Sequence, residues 1–157
     1  MFGIKRGLQV LNENRWLICQ GIFAVYLLIL AVMDIRKKNL HLLFLLSGFC
    51  VSAVGGLFGR EIPLIMLAAG GAIGVVFMVV SKVTEEAFGY GDSILIGVMG
   101  SFLGFWNILY VLVAAFSMAA VFSGVMMIRK HFNRKSVFPF VPFLTAAYIG
   151  GMAVGAF

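Results

Sequence analysis

SILIGVMGSFLGFWNILYVLVAAFSMAAVFSGVMMI, running from Ser93 to Ile128, carries no charged side chain along its whole length. Wound as one α-helix it would measure about 54 Å at about 1.5 Å per residue. The hydrocarbon layer of a bilayer is about 30 Å thick. The stretch is therefore too apolar for water and too long to cross a membrane once. A break is needed, and Gly104-Phe105-Trp106-Asn107 offers it, with Trp106 at the interface where amphipathic rings settle. Two short helices in succession, in lipid, are what this stretch predicts.

The rest of the chain agrees with lipid as its solvent. Of 157 residues, 62% are hydrophobic and 11% charged, and the mean hydropathy is +1.09. A soluble domain of this length could not hide so much apolar surface. Glycine is frequent, 19 residues, as membrane helices allow through close backbone approach. A net charge of +6 would suit nucleic acid if it formed a patch. Here the basic residues stand in short clusters between apolar runs, the pattern of loops flanking membrane helices, so no nucleic-acid partner is expected. Cys19 and Cys50 lie far apart in apolar segments with no CxxC pairing and read as small packing residues. His41 and His131 have basic or apolar neighbours and no ligand spacing, so neither a metal nor a cofactor is expected.

Outward from the opening stretch, further apolar runs reach spanning length, roughly 17–25 residues. They are Trp16–Met33, Leu40–Phe58, Pro63–Val80 and Phe138 to the C-terminus. Pro63 suits a first helical turn, as do Pro139 and Pro142 at the start of the last run. The fold class is an all-α integral membrane protein with six transmembrane helices, in a single domain over residues 1–157. The first run ends at Asp34-Ile35-Arg36 without a small-x-small cleavage site and reads as a retained helix. Ile4, Leu8 and Leu11, at helical spacing, lay residues 1–15 along the membrane surface as an interfacial segment. Alternate loops carry Arg36, Lys37, Lys38, Lys82, Arg129, Lys130, Arg134 and Lys135, against Lys5, Arg6, Arg15 and Arg60 on the other side. The positive-inside rule puts the larger set in the cytoplasm.

Sidedness brings together the two aspartates of the chain. Asp34 falls at the cytoplasmic end of the first helix and Asp92 at the cytoplasmic start of the fourth. Singly, each has a plainer reading: Asp34 as a solvated helix end beside Arg36-Lys37-Lys38, Asp92 as an N-cap favoured by the helix dipole. Together they point to a task, because a carboxylate at a membrane boundary is costly and ordinarily has a partner. Gly89 and Gly91, flanking Tyr90 just before Asp92, allow positive φ and leave room for another backbone beside the carboxylate. A protease needs such room for an extended substrate. An ordinary glycine turn into an N-cap has the same sequence.

Gly89-Tyr90-Gly91-Asp92, with an aspartate ending an earlier helix, resembles the GxGD class of intramembrane aspartyl proteases, and more narrowly the type IV prepilin peptidases. Three blocks carry the resemblance in order: Asp34-Ile35-Arg36; EAFGYGD (Glu86–Asp92) with the glycine-punctuated GVMGSFLG (Gly97–Gly104); and FPFVPFL (Phe138–Leu144), similar to the family's Pro-Phe-x-Pro-Phe signature. It covers nearly everything after the first helix. The chain departs from the pattern at Leu40-His41-Leu42, where the family has Ile-Pro-Asn, and at Ile94, where a lysine is common. Nothing matches the cysteine-paired region and N-methyltransferase function of longer relatives, so the chain looks like the short, peptidase-only form of tight-adherence pilus systems.

What the resemblance implies is a GxGD-type bundle in the bacterial cytoplasmic membrane, with its active site facing the cytoplasm. It implies an endopeptidase that cuts the basic leader from prepilin-like substrates after a glycine. Asp34 and Asp92 would be the catalytic pair, supported by Gly89, Tyr90, Gly91, Arg36, Pro139 and Pro142. One ionised carboxyl takes a proton from water while the other, protonated, hydrogen-bonds the scissile carbonyl. Two like charges close together in a poorly hydrated site do not both ionise easily, so the pair shares a proton. Asp92 at a helix N-terminus is favoured as the anion and Asp34 at a helix C-terminus is not, while Arg36, Lys37 and Lys38 oppose that ordering. Glu85 and Glu86 either attract a basic leader or form a solvated loop. Two other readings stay open: a small transporter or ion pathway using both aspartates, and an inactive pilus-assembly factor.

Overall fold

The computed structural model describes residues 2–37, 42–58, 63–84, 89–129 and 139–156, with side chains for 14–36, 44–56 and the last three segments. Lys38, Leu40, His41, Glu85, Glu86, His131 and Arg134 lie outside the described residues, and with them the readings attached to these positions. The described residues form six helices and no strand: α1 (Phe2–Lys37), α2 (Leu42–Phe58), α3 (Leu64–Val83), α4 (Tyr90–Leu103), α5 (Phe105–Ile128) and α6 (Val141–Val154). Three stretches are long and apolar enough to cross a membrane, Asn14–Arg36, Leu64–Val83 and Phe105–Ile128. The even-numbered helices are shorter, at 17, 14 and 14 residues.

The break inside the long apolar run falls where expected. Gly104 alone joins α4 to α5, with φ 79° and ψ 173°, a region that is essentially glycine's own. Its N–H donates to the Gly100 carbonyl, and Asn107 Nδ2 caps the Leu103 carbonyl at 3.2 Å. Trp106 is exposed in the first turn of α5.

Other boundaries differ from the sequence reading. Residues 2–13 belong to α1, which runs unbroken over 36 residues. The polar Asn12-Glu13-Asn14-Arg15 interrupts the hydropathy, but from Leu8 to Arg15 there is neither Gly nor Pro to stop a helix. Pro63 is the N-cap of α3, one residue before its first turn. Helix α6 begins at Val141, so Pro142 occupies its first turn while Pro139 precedes the cap residue Phe140.

Helix α4 is the centre of the bundle, with every residue from Ser93 to Gly100 buried. It lies against α3 backbone to backbone. A Cβ on Gly70 would strike the Gly100 carbonyl, one on Gly100 would strike Gly70, and one on Gly74 would strike Gly97. These pairings run antiparallel and explain the glycine punctuation of Gly97–Gly104: only helices without side chains at the contact approach this closely. Toward α1 the spacing is set by rings. Phe102 stacks on Phe23 at 4.2 Å and on Trp16 at 5.4 Å, and Tyr148 of α6 meets Phe23 edge-on at 5.5 Å. Each such pair adds about 0.5–1.5 kcal/mol beyond its buried area. Tyr26 donates its hydroxyl to the Phe44 carbonyl at 2.8 Å, holding the start of α2 beside α1.

Candidate active site

The antiparallel contact of α1 with α4 fixes what lies at its end. From Phe23 to Asp34 is about 16 Å along α1, and from Phe102 back to Asp92 about 15 Å along α4, at about 1.5 Å per residue. With Phe23 stacked on Phe102, the two aspartates arrive at the same level. The charge of Asp34 is accordingly felt at Asp92. Both residues are half-buried.

Asp92 is not an N-cap. The cap residue of α4 is Gly89, whose side chain can cap nothing, and Asp92 sits two residues inside the helix within its first turn. Gly89 has φ −58° and ψ 127°, a conformation any residue adopts, so positive φ is not the reason for glycine here. Space is the reason: a Cβ at position 89 would stand 2.8 Å from Asp92 Oδ2. Gly91 is helical, and Gly104 and Gly155 are the positive-φ glycines among the described residues. Tyr90 opens the helix and is half exposed.

Asp34 ends up at a helix N-terminus as well, contrary to the expectation from its place at the end of α1. The first turn of α6 comes up to it, and the Val141 N–H is felt at its carboxyl. Pro142, next in the chain, has no N–H of its own and belongs in a first turn. Its neighbour Phe140 caps the helix without a side-chain hydrogen bond. Asp34 Oδ2 is buried with no hydrogen-bond partner among the described residues. A buried carboxyl oxygen left unpaired is costly, and such groups ask for a functional account. The N-termini of α4 and α6 thus converge on the two carboxyls. Each offers about half a positive charge, which suits a pair holding one proton and one negative charge between them.

Arg36 is exposed one turn's fraction beyond Asp34, and Ile94, where the lysine of the family pattern would stand, is buried in the core. An apolar side chain fits that environment better than an ammonium. The sequence reading named Pro139 and Pro142 but missed Val141, since a backbone N–H leaves no mark on the residue type that carries it. The one available signal was Pro142, which locates the first turn of α6 and therefore its free N–H groups.

No curated protein and no solved structure matches the chain. The model of the type IV leader peptidase family matches residues 21–124. That span holds α1 from its middle onward, both aspartates and the glycine seam of α4, and it stops short of Pro139 and Pro142. With about two thirds of its length so matched, the chain belongs to the type IV leader peptidase family.

Proposed function

We propose that this protein is an intramembrane aspartyl endopeptidase that removes the basic leader from prepilin-like substrates, cutting after a glycine at the cytoplasmic boundary of the bacterial inner membrane. The observation that carries the proposal is the meeting of Asp34 and Asp92, the chain's only aspartates, where the end of α1 faces the starts of α4 and α6. Family membership supports the reaction class.

In the proposed reaction the ionised carboxyl takes a proton from water, and the water oxygen adds to the scissile carbonyl carbon. The protonated carboxyl gives its proton to the carbonyl oxygen, forming a tetrahedral diol. As the diol collapses and the C–N bond breaks, one hydroxyl proton returns to the second carboxyl, and the proton first taken from water goes to the leaving amine. Each carboxyl thus acts once as acid and once as base. The α4 and α6 N-termini stabilise the single negative charge that the pair keeps throughout.

The test is co-expression with a prepilin-like substrate and measurement of its mobility on a gel. Asp34→Asn and Asp92→Asn keep shape and hydrogen bonding but cannot carry the proton, so each is expected to lower cleavage by at least about 10²–10⁴. Persistence of processing in both variants would remove the pair from catalysis and defeat the proposal. Aspartate-dependent ion flux in vesicles without cleavage would favour the ion-pathway reading.

A further inference from the structure

A crevice of about 630 Å³ separates the second half of α5 from the first turns of α6. Val121 and Val125 wall it on α5, and Pro142, Phe143 and Ala146 on α6. Its one polar lining side chain, Ser117, donates its hydroxyl to the Val113 carbonyl at 2.7 Å, so nothing in the wall asks for water. Two separate measures place this crevice at the level of the carboxyls. From Gly104, α4 and α5 run back side by side. Twelve residues along each, about 18 Å at about 1.5 Å per residue, bring Asp92 and Phe116 to the same level. Between α1 and α6, the Thr145 hydroxyl lies 3.3 Å from the Leu27 carbonyl and the Tyr148 phenol 3.3 Å from that of Gln20, so these helices run antiparallel. Counted from Leu27 and Thr145, Pro142 stops about 6 Å short of Asp34. The Asp34 side chain leans back toward that level, as helical side chains lean toward the N-terminus. Phe116 and Phe140 join the two measures, with ring centroids 5.0 Å apart.

We propose that this crevice seats the apolar helix of the substrate, with the scissile bond held at the level of Asp34 and Asp92. The proposal rests on the peptidase reading of the two carboxyls, which sets the substrate's chemistry: a cut site followed at once by an apolar helix in the membrane. Such a helix needs a surface that starts beside the carboxyls and continues away from them into the bilayer. The crevice does both. Pro142 and Phe143 share the first turn of α6, and beyond them Ala146 and Gly150 stand one turn apart, both exposed. A Cβ on Gly150 would meet nothing within 4 Å. Small residues at this spacing let a second helix approach backbone to backbone, whereas a lipid tail gains nothing from them. A second crevice, of about 260 Å³ beside Cys19, Cys50 and Phe102, is equally apolar. It lies at the level of Phe102, ten residues or about 15 Å along α4 from Asp92. A helix seated there would not bring its end to the carboxyls.

Photo-crosslinking tests the seat. The probe is a synthetic peptide with a Lys-rich leader, a glycine and about 20 apolar residues, held in lipid nanodiscs with the Asp92→Asn protein so that it stays uncut. The photoreactive p-benzoylphenylalanine, in place of Val121 or of Ala146, is expected to form adducts with the apolar segment of the peptide. In place of Val76, similarly exposed on α3, it is expected to form none. Adducts at position 76 as strong as those at 121 and 146, adducts with lipid alone, or adducts with a second copy of the chain overturn the proposal. In protein with both aspartates intact, Ala146→Phe fills the crevice from an exposed position. It is expected to raise KM for the peptide at least about tenfold with kcat unchanged. Val76→Phe is expected to alter neither. An unchanged KM in Ala146→Phe overturns the proposal, and should that variant fail to insert, the adducts decide. Cleavage of the peptide without adducts in the crevice defeats the seat and leaves the peptidase. Adducts in the crevice without cleavage by the unaltered protein defeat the peptidase reading and leave the seat.

Discussion

Gly89 matters through the side chain it lacks. The carboxyl of Asp92 folds back over it, and a methyl group there would stand 2.8 Å from Oδ2, so the side chain of Asp92 has to turn away. The backbone of Gly89 itself suits alanine, at φ −58°. Gly89→Ala is therefore expected to leave folding intact while moving one carboxyl of the pair. A displacement of about 1 Å can cost on the order of 10²-fold in rate, so cleavage should fall about 10–100-fold at an unchanged unfolding temperature. Full activity in Gly89→Ala would show that the space above residue 89 does not control Asp92. At this scale the sequence was partly legible. Two aspartates in so apolar a chain announced themselves by scarcity, and glycine beside Asp92 announced close packing, although its cause is volume and not φ. The Val141 donor could not be read, because every residue but proline has one.

Among the elements, the α3–α4 seam is the least tolerant. A methyl group on Gly70 or Gly100 meets backbone on the opposite helix, which cannot rotate aside, so the helices must part. Gly70→Ala and Gly100→Ala are each expected to destabilise the protein by about 1–3 kcal/mol, as overpacking does. Gly124, in α5, has open space around its Cβ position. Gly124→Ala should be neutral or stabilising by up to about 1 kcal/mol. Thermal unfolding in detergent separates the two outcomes, and equal melting temperatures for all three variants would refute the seam. Gly104→Ala should cost about 1–3 kcal/mol for its backbone conformation alone. Helix number was legible from length and hydropathy, since bilayer thickness divides an apolar run whatever its partners. The start of α1 was not, because a polar patch ends a hydropathy signal without ending a helix. Nor was the register of α1 on α4, which depends on the stacking of Phe102 with Phe23 and Trp16 across about half of the sequence.

Over the whole molecule, orientation is the open variable, and the split of basic residues makes it testable. With Cys19 and Cys50 replaced, single cysteines near Arg60 and Phe157 should react with an impermeant reagent from outside, and those near Lys37 and Arg134 should not. Reaction of position 134 from outside would invert the assignment and move the proposed site to the other face. The alternation of long and short helices has a further consequence. Helices α4 and α6, at 14 residues each, are about 21 Å long, some 9 Å less than a hydrocarbon layer of about 30 Å. At its far end α4 passes directly into α5, where Trp106 marks the interface. With that interface as the reference, α4 is expected to begin below the headgroups of the opposite face and to carry Asp92 with it. Cleavage in vesicles should then quicken as acyl chains shorten, because a thinner bilayer brings those headgroups nearer to Asp92. A rate independent of chain length would mean that the lipid already thins around the protein. A peptidase built this way is expected to draw its water down to a level that lipid tails occupy everywhere else.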